Sequence, residues 1–176
     1  MSRKTVINRL VLQHDIHYCI GCSACEVQCK TNKKLQPGTS LCQIMRLSDN
    51  KHFFQDAYDF VFMPCFHCTE AACQTVCPTN AIKKRPQDGI VYIEASLCIG
   101  CKSCITACQW GACQWNETTQ KAVKCDLCMD RLALDKQPAC VTVCPTQCLT
   151  IETAVVEGSI EQGPISVFQT EGETAS

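Results

Sequence analysis

Residues 98–108 read Cys98-Ile99-Gly100-Cys101-Lys102-Ser103-Cys104-Ile105-Thr106-Ala107-Cys108, a C-x2-C-x2-C-x3-C run. At an offset of 79 the same spacing stands as Cys19-Ile20-Gly21-Cys22-Ser23-Ala24-Cys25-Glu26-Val27-Gln28-Cys29. Asp15 precedes the earlier run as Glu94 precedes the later one. Two further groups alternate with these: Cys65, Cys68, Cys73 and Cys77, then Cys125, Cys128, Cys140 and Cys144. Thr75-Val76-Cys77-Pro78-Thr79 returns as Thr142-Val143-Cys144-Pro145-Thr146. Compared with itself, the chain is a duplicated unit, each copy carrying one group of each kind. Cys42, Cys113 and Cys148 remain outside the groups. The repeat pairs Cys148 with Ala81, so Cys148 is not expected to be a ligand.

This spacing suits a cubane [4Fe–4S] cluster. Two-residue spacers let one loop offer three successive thiolates. A fourth cysteine three residues on, along a starting helix, reaches a neighbouring cluster, as in the bacterial two-cluster run. Gly21 and Gly100 suit a loop bent tightly against inorganic sulfide. Pro78 and Pro145 follow the last cysteine of their groups, as in that run; Lys30 and Gln109 occupy this place in the other two. Zinc also takes four thiolates, but its sites pair two separated C-x2-C hooks. Four intact groups predict four clusters.

Composition agrees. The chain has 176 residues and 19 cysteines, and its 46% hydrophobic share counts those cysteines. A core so poor in aliphatic side chains needs disulfides or metal. The segment Met1–Asp15 has no signal-peptide pattern, since Asn8 and Arg9 break its apolar run. A reducing, cytoplasmic setting is therefore expected, which favours metal. No membrane span is expected, because no stretch reaches 18 apolar residues. The formal charge of −1, made more negative by cluster thiolates, argues against nucleic acid despite Lys83-Lys84-Arg85. Lys102, Lys124 and Arg131 are expected to offset cluster charge.

The motifs Cys65-Phe66-His67-Cys68, Cys77-Pro78-Thr79, Lys124-Cys125-Asp126-Leu127-Cys128 with Arg131, and Pro138-Ala139-Cys140 carry a resemblance. The chain resembles the four-cluster ferredoxin-like subunits of molybdenum or tungsten pterin oxidoreductases, among them dimethyl sulfoxide reductases, formate dehydrogenases and formate hydrogenlyase. The match covers roughly residues 8–155. The resemblance implies crossed ligation. Cys19, Cys22 and Cys25 would share a cluster with Cys144, and Cys125, Cys128 and Cys140 one with Cys29. Cys65, Cys68 and Cys73 would be completed by Cys108, and Cys98, Cys101 and Cys104 by Cys77. It also implies a large Mo/W-pterin catalytic subunit as partner, with a further redox subunit or carrier.

The expected fold is α+β: two pseudo-symmetric bacterial-ferredoxin-like modules around four [4Fe–4S] clusters. Residues 1–158 form this domain, with an insertion at 30–64 and an extended or disordered tail at 159–176. Val11–Gln13 and Ile90–Ile93 read as short strands, and the fourth cysteines as helical. The insertion, with its aromatic run from Phe53 to Phe62, is either a covering segment with a strand or a docking surface. His67 either packs or hydrogen-bonds to cluster sulfur from outside the ligand set. Trp110 and Trp115 read as core or interface filling, and Cys42 and Cys113 as buried, unligated thiols. There is no nucleotide loop and no acid/base dyad. The chain reads as a non-catalytic wire for single electrons. The rivals are a free soluble polyferredoxin, a zinc protein, and an enzyme with a catalytic cluster, which would want an incomplete ligand set.

Overall fold

The computed structural model describes residues 7–47 and 59–156. The expected tail at 159–176 and the aromatics Phe53, Phe54 and Tyr58 lie outside the described residues. Four two-stranded antiparallel sheets and five helices make up the described part, a mixed α and β arrangement.

Strand β1 (Ile7–His14) pairs with β8 (Leu149–Val156), so the start of the fold is zipped to its end. Leu12 faces Ile151 and His14 faces Leu149 across this ladder. Helix α1 (Ala24–Lys33) follows β1 and packs on α5 (Ala139–Val143), which precedes β8. The middle of the chain holds a second helix pair. Helix α2 (Ala72–Thr75) packs on α3 (Ser103–Ala107), with the hairpin of β4 (Ile82–Lys84) and β5 (Val91–Ile93) between them in sequence. The hairpin of β6 (Gln114–Asn116) and β7 (Lys121–Val123) leads back to α4 (Met129–Leu132).

The expected strand at Val11–Gln13 is the middle of the longer β1, and Ile90 lies just before β5. The insertion begins inside α1 and then forms a hairpin, β2 (Gln43–Leu47) against β3 (Asp59–Met63). Its described aromatics face inward: Phe62 is 2% exposed and Phe60 lies against Gly21. In this part the segment is a cover for the core.

Two apolar cores result. One gathers Cys25, Cys29, Leu41, Cys42, Phe62, Cys140, Cys148 and Leu149. The other gathers Ala71, Ile82, Val91, Cys104, Cys113 and Ala122. Cysteine supplies more than half of the first, which is why so few aliphatic side chains suffice.

Candidate metal centres

Each cysteine group opens on the same backbone device. The third residue of every C-x2-C hook has positive φ: Gly21 at 65°, His67 at 47°, Gly100 at 74° and Leu127 at 52°. That conformation turns the two sulfurs of a hook to one side. Glycine has a second reason at two of these places. A Cβ on Gly21 would stand 2.5 Å from the Phe60 ring, and one on Gly100 would stand 2.6 Å from the Gln120 carbonyl oxygen. Crowding from the protein behind the loop thus requires glycine at both places.

The third cysteine of each group enters a short helix, and the fourth leaves it one turn later. Cys108 and Cys144 are C-cap residues with extended backbone, and Cys77 lies just past α2. Only Cys29 stays inside its helix. The expectation of a starting helix is corrected here: the fourth cysteine closes a helix in three of the four groups. Behind those three a common turn forms. Asn80, Gly111 and Gln147, all at positive φ, donate backbone N–H to the carbonyls of Cys77, Cys108 and Cys144 at 3.2, 3.0 and 3.2 Å. The next amides reach sulfur: Ala81 N–H to Cys77 Sγ at 3.2 Å and Ala112 N–H to Cys108 Sγ at 3.4 Å. At Cys77, burial raises the thiol pKa, but the Ile82 amide, the Thr79 hydroxyl and the Ala81 amide outweigh it and the net shift is downward.

The groups converge in pairs around cavities. Cys19, Cys22, Cys25 and Cys144 wall one cavity, together with Cys148 and His14. Cys29, Cys125, Cys128 and Cys140 wall a second, with Cys42 beside them. Cys77, Cys98, Cys101 and Cys104 wall a third. Each has about 300–380 Å³ of empty space, part of it open to solvent. Cys68 is raised in pKa by burial first, then by the nearby sulfurs of Cys65, Cys73 and Cys108, so those four also adjoin. Only Cys22 and Cys101 of all these are exposed, and all 19 cysteines are free thiols.

The three remaining cysteines sit against these sets. Cys113, 1% exposed, has its thiol beside Cys73, Cys104 and Cys108, and its single S–H can serve one of them at a time. Cys73, Cys104 and Cys108 are each drawn downward by this neighbour, which stabilises the thiolate it donates to. Cys42 donates its thiol to the Cys25 carbonyl at 3.9 Å and lies beside Cys29, whose pKa it draws downward. Cys148 Sγ lies 3.4 Å from Cys144 Sγ. Neighbouring thiols thus favour thiolates, the ligand form. Cys25 and Cys140, by contrast, are pushed up to about 12, chiefly by burial.

Cations brace the hook at Cys65–Cys68 from distant segments. Arg9 donates to the carbonyls of Phe66 and His67, the latter at 2.7 Å, and to Thr69 Oγ1 at 3.1 Å. Lys84 donates to the Cys68 and Thr69 carbonyls at 3.3 and 2.7 Å. Lys124, 6% exposed, donates to Val91 and Cys125 carbonyls. Of the expected charge-balancing residues, Lys124 is in this brace. Lys102 stacks 4.1 Å over the Trp115 ring, and Arg131 donates to the Gln137 carbonyl at 2.8 Å. Sequence reasoning missed Arg9 and Lys84. The first lies 57 residues from the Phe66 carbonyl, so no local pattern marks it. Lys33 joins α1 to the fourth group through ion pairs of 2.9 Å to both Asp126 and Asp130.

His67 is 3% exposed. Its Nδ1 accepts the Val91 N–H at 3.0 Å, while the Val91 carbonyl takes the Lys124 ammonium. Burial, then Lys124 and Arg9, holds the imidazole neutral, so its proton sits on Nε2. That Nε2 is buried without a partner. The same is true of Arg9 Nε, His14 Nε2, Trp110 Nε1 and Trp115 Nε1 among the described residues. Of these, His14 lines the cavity of Cys19, Cys22, Cys25 and Cys144, and His67 stands inside the Cys65–Cys68 hook. Unsatisfied buried donors cost about 1–3 kcal/mol each, so the site is built for an acceptor-rich group. Inorganic sulfide and thiolate are such acceptors, and the four-thiolate sets match the ligation of a cubane cluster.

Known proteins agree. A family model described as a 4Fe–4S dicluster domain matches residues 57–154. The protein is 40% identical over 142 residues to the B polypeptide of the anaerobic dimethyl sulfoxide reductase of Escherichia coli, covering 77% of its own length and 69% of the relative. It is 42% identical over 144 residues to the thiosulfate reductase electron transfer subunit PhsB of Salmonella typhi, covering 81% and 74%. It is 37% identical over 163 residues to an NrfC homologue of Haemophilus influenzae, covering 89% and 72%. No helix among the described residues is long and apolar enough to cross a membrane. With its cysteine-walled cavities, orphaned donors and these relatives, the chain belongs to the 4Fe–4S dicluster family of ferredoxin-like iron–sulfur proteins, as an electron-transfer subunit and not a catalytic one.

Proposed function

We propose that the chain relays single electrons through four [4Fe–4S] clusters between a Mo/W-pterin catalytic subunit and a second redox subunit or carrier. The ligand sets are Cys19/Cys22/Cys25/Cys144, Cys125/Cys128/Cys140/Cys29, Cys65/Cys68/Cys73/Cys108 and Cys98/Cys101/Cys104/Cys77. The observation that carries this is the make-up of the cavities: three are each walled by three cysteines of one group and the last cysteine of a distant one. The neighbours of Cys68 support the fourth set. When bound, the clusters supply reversible one-electron chemistry, at potentials set by hydrogen bonds, charge and exposure. The residues of this chain do the tuning: Ala81 and Ala112 amides on sulfur, His67 Nε2–H, and the buried thiols.

Tunnelling falls steeply with distance, so electrons enter and leave where cysteines reach the surface. Cys22 and Cys101 are those places, and they belong to different sets. Ile20 and Ile99, 62% and 66% exposed, flank them and offer apolar contact to partners. The accompanying fold reading is two pseudo-symmetric modules in residues 1–158 with a tail at 159–176. The density of free thiols favours a reducing, cytoplasmic setting.

Native mass spectrometry on the chain purified anaerobically from its own host tests this. A mass excess of four cubes with a large pterin-containing partner is expected. Four cubes on a lone chain would replace the relay by a free shuttle. Zinc, or bare thiols despite exclusion of air, would overturn it.

A further inference from the structure

His14 ends β1 and is 8% exposed. Its Nδ1 accepts the backbone N–H of Phe62 at 3.3 Å. An accepting ring nitrogen carries no proton, so the single proton of this imidazole is on Nε2. That N–H is buried and meets no acceptor among the described residues. His14 lines the cavity of Cys19, Cys22, Cys25 and Cys144, and one of its ring nitrogens, Cys19 Sγ and Cys148 Sγ lie within 4.8 Å of one another. The bond from Phe62 decides what the histidine does there. A protonated Nε2 has no lone pair for a metal, so His14 is a donor in this cavity, not a ligand.

We propose that His14 Nε2–H donates a hydrogen bond to a sulfur of the cluster in this cavity and makes that cluster easier to reduce. The inference rests on the ligand set Cys19/Cys22/Cys25/Cys144 proposed above. Reduction adds one negative charge to the cluster and its thiolates. A fixed donor stabilises the reduced form more than the oxidised form, which raises the potential. The position is held from three sides: by the β1–β8 ladder, by the Phe62 amide, and by a tilted ring contact with Phe62 at 6.2 Å. His14 is thus a positioning residue for electron transfer, and nothing in the four cysteine motifs marks it.

The test uses the full chain, loaded with clusters and kept anaerobic, in an EPR-monitored redox titration with His14→Phe and His14→Gln. Phenylalanine keeps the ring and removes the donor; glutamine keeps an acceptor for Phe62 and a donor at the far end. In His14→Phe one midpoint is expected to fall, its cluster becoming about tenfold harder to reduce, which is about 59 mV for one electron. The other midpoints stay, and His14→Gln restores the fallen one. In a chain carrying 15N-labelled histidine, a weak nitrogen coupling to a reduced cluster, separate from any made by His67, is expected and is lost in His14→Gln although the potential is kept. Unchanged midpoints in fully loaded His14→Phe would overturn the inference, as would a coupling pattern identical in wild type and His14→Gln. The second comparison decides the matter if His14→Phe does not fold. A Cys148→Ala variant in which the His14 coupling disappears would also overturn it, by making that thiol the acceptor. Failure of the underlying ligand set has its own signature: Cys25→Ala would then leave all four cluster signals in place.

Discussion

The sulfurs of Cys144 and Cys148 lie 3.4 Å apart on the turn that follows α5, and both wall the same cavity. Cys148 is a spare thiol beside a proposed ligand, and loss of Cys144 would free it to ligate. Cys144→Ala should therefore retain its full iron content, while Cys144→Ala/Cys148→Ala should lose one cluster's worth. Iron and sulfide analysis of both variants checks this.

Arg9 ties the first strand to the hook at Cys65–Cys68 through two carbonyls and Thr69. Hydrogen bonds from a charged donor are worth about 1.5–3 kcal/mol. Arg9→Met, which keeps the stem and removes the donors, should lower the stability of the loaded protein by about 2 kcal/mol on this scale. Anaerobic denaturant unfolding measures it.

The glycines separate strain from crowding. A Cβ at Gly111 meets nothing within 4 Å, whereas one at Gly100 strikes a backbone carbonyl. Gly111→Ala should cost only the left-handed conformation, about 1–2 kcal/mol. Gly100→Ala should cost more and slow cluster loading, because the Gln120 carbonyl cannot rotate aside. Parallel unfolding curves rank the two.

Lys33 bridges Asp126 and Asp130 at 18% side-chain exposure. Burial alone would lower its pKa, but the two carboxylates prevail and raise it. A raised cation contributes fully below its unfolded value of about 10.5 and loses that contribution as pH rises through the higher folded value. The hydrogen bond from Lys33 lowers Asp130, whose contribution is present above 3.8 and lost as pH falls through its depressed value. Between those limits the bridge should be insensitive to pH. Lys33→Met should then destabilise the protein equally at neutral and mildly alkaline pH, by up to about 1 kcal/mol, and less at high salt. A pH-by-salt matrix of melting temperatures reads both.

Ile20 and Ile99 flank the two exposed cysteines and line different cysteine-walled cavities. Ile20→Glu and Ile99→Glu should each leave cluster content intact and weaken capture of a different partner, by roughly tenfold or more for an interface anchor. Anaerobic pull-down followed by mass spectrometry distinguishes them.

The repeat and the four cysteine groups are legible in the sequence because ligand chemistry demands fixed spacing. Gly21 and Gly100 are legible as special for the same reason. Their counterparts His67 and Leu127 are not, because a left-handed histidine or leucine is held by neighbours far along the chain, such as Arg9 on the His67 carbonyl. The β6–β7 hairpin escapes notice because three-residue strands carry too little alternation to read. Strand β8 escapes because its partner stands at the other end of the chain. His14 carries no motif; only the Phe62 amide, 48 residues away, reveals which nitrogen holds its proton.

The pairing of β1 with β8, and of α1 with α5, also fixes an order of events at the ribosome. The segment from Cys65 to Val123 carries both partners of the α2–α3 contact and both strands of two hairpins. The hook at Cys19–Cys22 must wait, since the ladder of β1 and the packing of α1 are completed only by residues 139–156, although Arg9 can already reach the hook at Cys65–Cys68. Completion therefore runs from the middle of the chain outward, and the earliest hook to be translated is among the last to close.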